Sequence, residues 1–159
     1  LKVDDTINLV KVESAEEMFK ATQQNLPVDI AIFSAAVADF KVNKKEKNKI
    51  KKKESLTINF EKNIDILNYV SNHNSMRPKL VIGFAAETDN LDNNAISKLT
   101  NKNCDWIIAN DVSKNDRGFN SDYNEVTIHY KNVKKEKLSF KKKSEISEEI
   151  VDRIVAQIN

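Results

Sequence analysis

Three stretches of the chain run apolar without alternation, pass into small residues and end polar. They are Asp29-Ile30-Ala31-Ile32-Phe33-Ser34-Ala35-Ala36, Leu80-Val81-Ile82-Gly83-Phe84-Ala85-Ala86-Glu87 and Trp106-Ile107-Ile108-Ala109-Asn110-Asp111. Runs of this kind suit strands covered on both faces, as in a parallel sheet, and Ile7 to Val12 is a weaker fourth candidate. Between the runs the period lengthens. Ser14 and Glu17 form a capping box ahead of Met18, Phe19 and Thr22. Asn63 stands as a cap before Ile66, Leu67 and Val70, and Asn90 before Leu91, Ala95 and Leu99. Strand and helix in alternation predict an α/β fold with a mostly parallel sheet.

Beyond Asn110 the pattern changes. Glu125 to Tyr130 alternates, Asn132 supplies a turn, and Leu138-Ser139-Phe140 returns, which predicts a C-terminal antiparallel hairpin. Ile146, Ile150, Ile154 and Ile158 recur every fourth residue, one apolar stripe on a last helix that begins near Ser144. No linker or low-complexity segment divides the chain. With 159 residues, 40% of them hydrophobic, residues 1–159 are expected to form one domain.

Composition narrows the function classes. The net charge is +2, with 26 bases against 24 acids, so any attraction to anions must be local. Cys104 is the only cysteine, which excludes an internal disulfide, and with two histidines it offers no zinc spacing. No apolar run approaches a membrane span and the first residues lack a signal-peptide pattern, so a cytoplasmic protein is expected. Two glycines, Gly83 and Gly118, cannot write either glycine-rich phosphate loop. Bound phosphates would have to rest on lysines or helix starts.

Candidate chemistry gathers where strands would end, the place where open parallel sheets hold ligands. Ser34-Ala35-Ala36-Val37-Ala38 is small enough for a ligand to approach the backbone, and Asp39 after it serves either a ribose or the following turn. The lysines from Lys41 to Lys53 are either a solvated loop or a lid over phosphates, Ile50 anchoring the run. RNA binding is disfavoured because no aromatic lies among them to stack on a base. Lys98 and Lys102 are spaced to share a helix face. Asn63-Ile64-Asp65-Ile66 opens a helix whose free N–H groups meet either an anion or a cap. His73, His129 and Cys104 have no partner at catalytic spacing, and no catalytic residue can be named.

Seven motifs occur together in one order: "AAVADF", "KIKK", "NIDIL", "GFAAET", the lysine pair Lys98 and Lys102, "IIANDV" and "GFNSDYNEV". In this the chain resembles phosphopantothenoylcysteine synthetase over nearly its whole length. The resemblance implies a Rossmann-like three-layer α/β sandwich that forms a homodimer, in bacteria usually fused behind a flavin-dependent decarboxylase. It implies a ligase that uses CTP with Mg²⁺ to turn 4'-phosphopantothenate into an acyl cytidylate, on which L-cysteine then forms an amide. By the same resemblance Asp39 would hold the ribose, and Ala35, Ala36 and Ala38 would line the substrate. Lys49 would reach the triphosphate from a closing loop, and Ile64, Asp65, Ile66 and Leu67 would meet the nucleotide. Phe84 would pack against it, with Lys98 and Lys102 completing the cations.

Two departures stand out. Ile64 occupies a position where the family usually has proline. The family's opening "GPTRE" strand and "N-x-SSGxMG" segment do not occur, so the chain reads as an N-terminally incomplete synthetase domain with little or no turnover alone.

Overall fold

A computed structural model describes residues 3–44, 48–51, 55–113 and 121–158. The elements in chain order are α1 (Ala15–Asn25), β1 (Ile30–Phe33), β2 (Phe40–Val42), β3 (Phe60–Lys62), α2 (Ile66–Ser71), β4 (Leu80–Glu87), α3 (Leu91–Lys102), β5 (Trp106–Asp111), β6 (Tyr123–Tyr130), β7 (Lys135–Lys142) and α4 (Lys143–Ile158). Five strands form one sheet in the order β1-β4-β5-β6-β7. β1, β4 and β5 run parallel, whereas β6 and β7 are antiparallel additions.

Alternate residues of the parallel strands feed two separate cores. Leu80, Ile82, Trp106 and Ile108 point to the face covered by α4, whose Ile146, Ile150 and Ile154 join Val126, Ile128 and Leu138 there. Val81, Ala85, Ile107 and Ala109 point the other way, against Ala95 and Leu99 of α3. Helices on both faces of one sheet give the three-layer α/β sandwich, and the alternating stripe of each strand explains why its run is continuously apolar. On the α3 face, α1 leans on α2 through Phe19 and Tyr69, whose rings meet edge to face at 4.8 Å.

Several local expectations are corrected. Ile7 to Val12 forms no strand; its backbone joins no ladder, although Val10 and Val12 lie near β1, and Ile7, Leu9 and Val10 are exposed. β1, at the edge of the sheet, is covered only in part: Ile30 packs against the α4-side core, while Ile32 on the same face is 50% exposed. The cap of α2 is Asp65, whose carboxylate accepts from Asn68 N, and Asn63 instead donates from Nδ2 to Ala38 O at 2.8 Å. Asn90 precedes α3 in a left-handed conformation with no side-chain cap bond. The capping box of α1 forms as read, Ser14 Oγ accepting from Glu17 N, although Glu17 Oε2 reaches back to Glu13 N.

The β2–β3 ribbon is absent from the sequence reading. It pairs Phe40 with Lys62, Lys41 with Glu61 and Val42 with Phe60, and holds the ends of the lysine-rich connection together. Lys45, Lys47, Lys52 and Lys53 of that connection, and the Gly118-Phe119-Asn120 start of the last motif, lie outside the described residues.

Candidate functional site

The carboxyl ends of β1 and β4 open into a cleft of about 370 Å³. Its first wall is the segment after β1, with Phe33, Ser34, Ala35, Val37, Ala38 and Asp39. Opposite stand Asn63, Ile64, Asp65, Ile66 and Leu67, while Phe84 and Lys102 close one side and Met18 and Thr22 of α1 the other. These walls are tied to each other by backbone. Asn63 N donates to Asp39 O at 2.8 Å, so the start of α2 is fixed against the end of the small-residue stretch. Beneath the cleft β4 carries a glycine, Gly83, where a Cβ would lie 2.7 Å from Leu67 Cδ2 and 2.9 Å from Ile107 Cδ1, so those side-chain ends would have to move aside.

The carboxylates of the cleft differ in their partners. Asp39 is exposed, and its side chain makes no hydrogen bond or ion pair among the described residues. Asp65 is engaged twice. One oxygen accepts from Asn68 N at 2.9 Å, and the other pairs with Lys102 Nζ, the only lysine on the cleft wall among the described residues. Lys102 in turn is set at the last turn of α3, where its carbonyl accepts from the fully buried Ser71 hydroxyl of α2. An ammonium at a helix carboxyl end also meets the favourable end of the helix dipole.

Nine of the twelve residues singled out for binding, Ala35, Ala38, Asp39, Ile64, Asp65, Ile66, Leu67, Phe84 and Lys102, therefore share one cleft. Three do not line it. Ala36 is exposed outside it, and Lys49 is exposed on the connection beyond the β2–β3 ribbon. Lys98, one turn before Lys102, is drawn to Glu87 Oε1 at 2.6 Å at the end of β4. The second oxygen of Glu87 accepts from Asn94 Nδ2 at 3.0 Å.

Sequence reading missed the clamp that fixes the amino ends of β4 and β5. Arg77 Nη2 donates to both oxygens of Asp105 at 3.1 Å, and Asp105 Oδ2 accepts from Val81 N at 2.7 Å. The adjacency of Asp105 to a strand start was the available signal. Cys104 beside it is fully buried, and burial pushes its thiol up to about 11, so a nucleophilic thiolate is disfavoured. His73 Nδ1 accepts from Met76 N at 3.1 Å, a local structural bond. Among the described residues no cluster of three or more His, Cys, Asp or Glu could hold a metal ion, and no helix is long and apolar enough to cross a membrane.

Comparison with known proteins places this arrangement. The profile of the family described as "DNA/pantothenate metabolism flavoprotein C-terminal domain" matches residues 1–158. The coenzyme A biosynthesis bifunctional protein CoaBC of Haemophilus influenzae is 40% identical over 157 residues, covering 98% of this chain and 38% of that protein. Its counterpart in Bacillus subtilis is 37% identical over 149 residues, covering 92% of this chain and 36% of that one. The solved C-terminal domain of a CoaBC protein superposes with a TM-score of 0.77 at 32% identity, over 99% of this chain and 69% of that domain. The chain spans somewhat over a third of the length of the curated relatives it matches. Matched almost end to end by the profile, and sharing its fold with the solved domain, the chain belongs to the DNA/pantothenate metabolism flavoprotein C-terminal domain family.

Proposed function

We propose that this domain is a phosphopantothenate–cysteine ligase of coenzyme A biosynthesis. The reading rests on one observation: the small-residue stretch, the start of α2, Phe84 and Lys102 converge on one cleft at the strand ends. CTP and Mg²⁺ enter together as substrate, the ion held mainly by phosphate oxygens and water. The carboxylate of 4'-phosphopantothenate attacks the α-phosphate, pyrophosphate leaves, and the acyl cytidylate forms. The amine of L-cysteine then attacks the acyl carbon and CMP departs, leaving 4'-phosphopantothenoylcysteine.

The residues contribute position and charge. Asp39, exposed at the cleft, accepts the ribose hydroxyls. Ala35 and Ala38 let the ligand lie against the backbone, Phe84 packs on it, and Lys102 with Lys98 and Lys49 meets the phosphates. Cations preset around a site where negative charge builds lower the barrier without moving a proton. A cytoplasmic homodimer is part of the proposal, and so is fusion to a flavin-dependent decarboxylase, the one feature that relatives named bifunctional support.

A second reading is a nucleotide-binding module without turnover. The engagement of Lys98 by Glu87 favours it, since Lys102 is then the sole lysine on the cleft wall among the described residues. One assay separates the two: 4'-phosphopantothenate, L-cysteine, CTP and Mg²⁺ are mixed with the protein, and pyrophosphate and the amide product are measured. Stoichiometric release of both supports the ligase. Saturable CTP binding without pyrophosphate supports the module, and equal activity with ATP contradicts CTP preference.

A further inference from the structure

The two lysines of α3 are held in the same way. Lys98 pairs with Glu87, whose second oxygen is committed to Asn94, and Lys102 pairs with Asp65, whose second oxygen caps α2. In the Lys98 pair the acid is the enclosed member. The Glu87 side chain is 12% exposed against 44% for Lys98, so the carboxylate is fixed and the ammonium, on its flexible stem, is movable. Asp65 is likewise fixed by an independent backbone donor. Removing either lysine from its acid leaves that acid still hydrogen-bonded.

We propose that Glu87 and Asp65 are positioning residues that store the two lysines, and that a polyanion binds by taking both lysines from them. The idea deepens the nucleotide reading and rests on it for the identity of the polyanion. Binding becomes an exchange of partners. A single phosphate replaces one carboxylate with another anion and gains little, whereas a triphosphate engages two ammonium groups through one molecule and keeps the advantage of multivalency. The acids thereby weaken the binding of every anion, and an anion that engages both lysines at once recovers most through multivalency.

The test is a pair of double-mutant cycles on the intact chain, with inorganic tripolyphosphate and then CTP with Mg²⁺ titrated by calorimetry. Glu87→Gln keeps an acceptor for Asn94 and releases Lys98; tripolyphosphate is expected to bind roughly two- to fivefold tighter, the worth of a partly exposed ion pair. The gain must vanish in a Lys98→Ala background. Asp65→Asn, which retains the helix cap because asparagine also caps, reads the second store through Lys102→Ala and serves if the first variant does not fold. Weaker or unchanged binding in both releasing variants, a gain that persists without the lysine, or no tripolyphosphate binding to any variant overturns the proposal. CTP binding with flat cycles sinks the lysine store and leaves the nucleotide reading standing. Coupled cycles with CTP no better than tripolyphosphate do the reverse.

Discussion

Up to Asp65 no described residue of the chain is fully buried, whereas from Ile66 onward both cores are built. The earlier part carries exposed Ile7, Leu9, Val10, Ile32, Phe40, Phe60 and Ile64; the later part encloses Val81, Ile82, Ile107, Ile108 and Ile128 almost completely. The cleft lies across the boundary. Its Leu67, Phe84 and Lys102 side stands on packed sheet and helix, and its Ser34 to Asp39 side on a lightly packed segment. Segments with few buried contacts open at low free energy, which suits a wall that must admit a ligand.

The sharpest way to break this contrast is to make one substitution on each side of it. Ile108→Ala, at a fully buried site, is expected to cost about 2–5 kcal/mol in urea unfolding. Ile32→Ala, half exposed, is expected to cost less than about 1 kcal/mol, and comparable losses would dissolve the distinction. Gly83→Ala works at the seam. Its Cβ would push the ends of the Leu67 and Ile107 side chains aside, costing about 1 kcal/mol or less. Because Leu67 lines the cleft, nucleotide affinity should fall with it.

Smaller effects belong to the packed half alone. His129 is buried on β6 beside Asp92 and Lys135, and burial lowers its folded pKa below the ordinary 6.5 despite Asp92 at 3.4 Å. The unfolded chain therefore binds the proton first, and stability should fall as pH drops below 6.5, then level off once the folded form also takes it up. Urea midpoints between pH 8 and 5 would show the slope, and His129→Phe should remove it. The last expected effect is a gain. Val133, at the hairpin tip, is 91% exposed with φ 70°, a left-handed conformation that costs a β-branched residue. Val133→Gly should stabilise by roughly 1 kcal/mol without changing ligand binding.

That boundary coincides only in part with what could be read from the sequence, since α1 with its capping box and β1, both before it, were legible too. β4, β5 and the isoleucine stripe of α4 were legible because residues buried on two faces, or every fourth position, leave an unbroken local pattern. β2 and β3 were not, since three residues each give no period, and their pairing joins Phe40 to Lys62 across a lysine-rich connection. Ile7 to Val12 misled because apolar content alone does not supply a sheet neighbour. Within the site, small residues at strand ends located Ala35, Ala38 and Asp39, while the hold of Glu87 on Lys98 depends on how β4 and α3 pack and has no sequence signature.

The central claim is that a nucleotide lies across the two halves at once. Amide chemical shifts of the labelled chain, followed as CTP with Mg²⁺ is added, test it most directly. The expected result is concerted movement of Ala35, Ala38 and Asp39 with Ile66, Leu67, Phe84 and Lys102. Shifts confined to the exposed lysines near Lys49, or scattered over the α4 face, would contradict it.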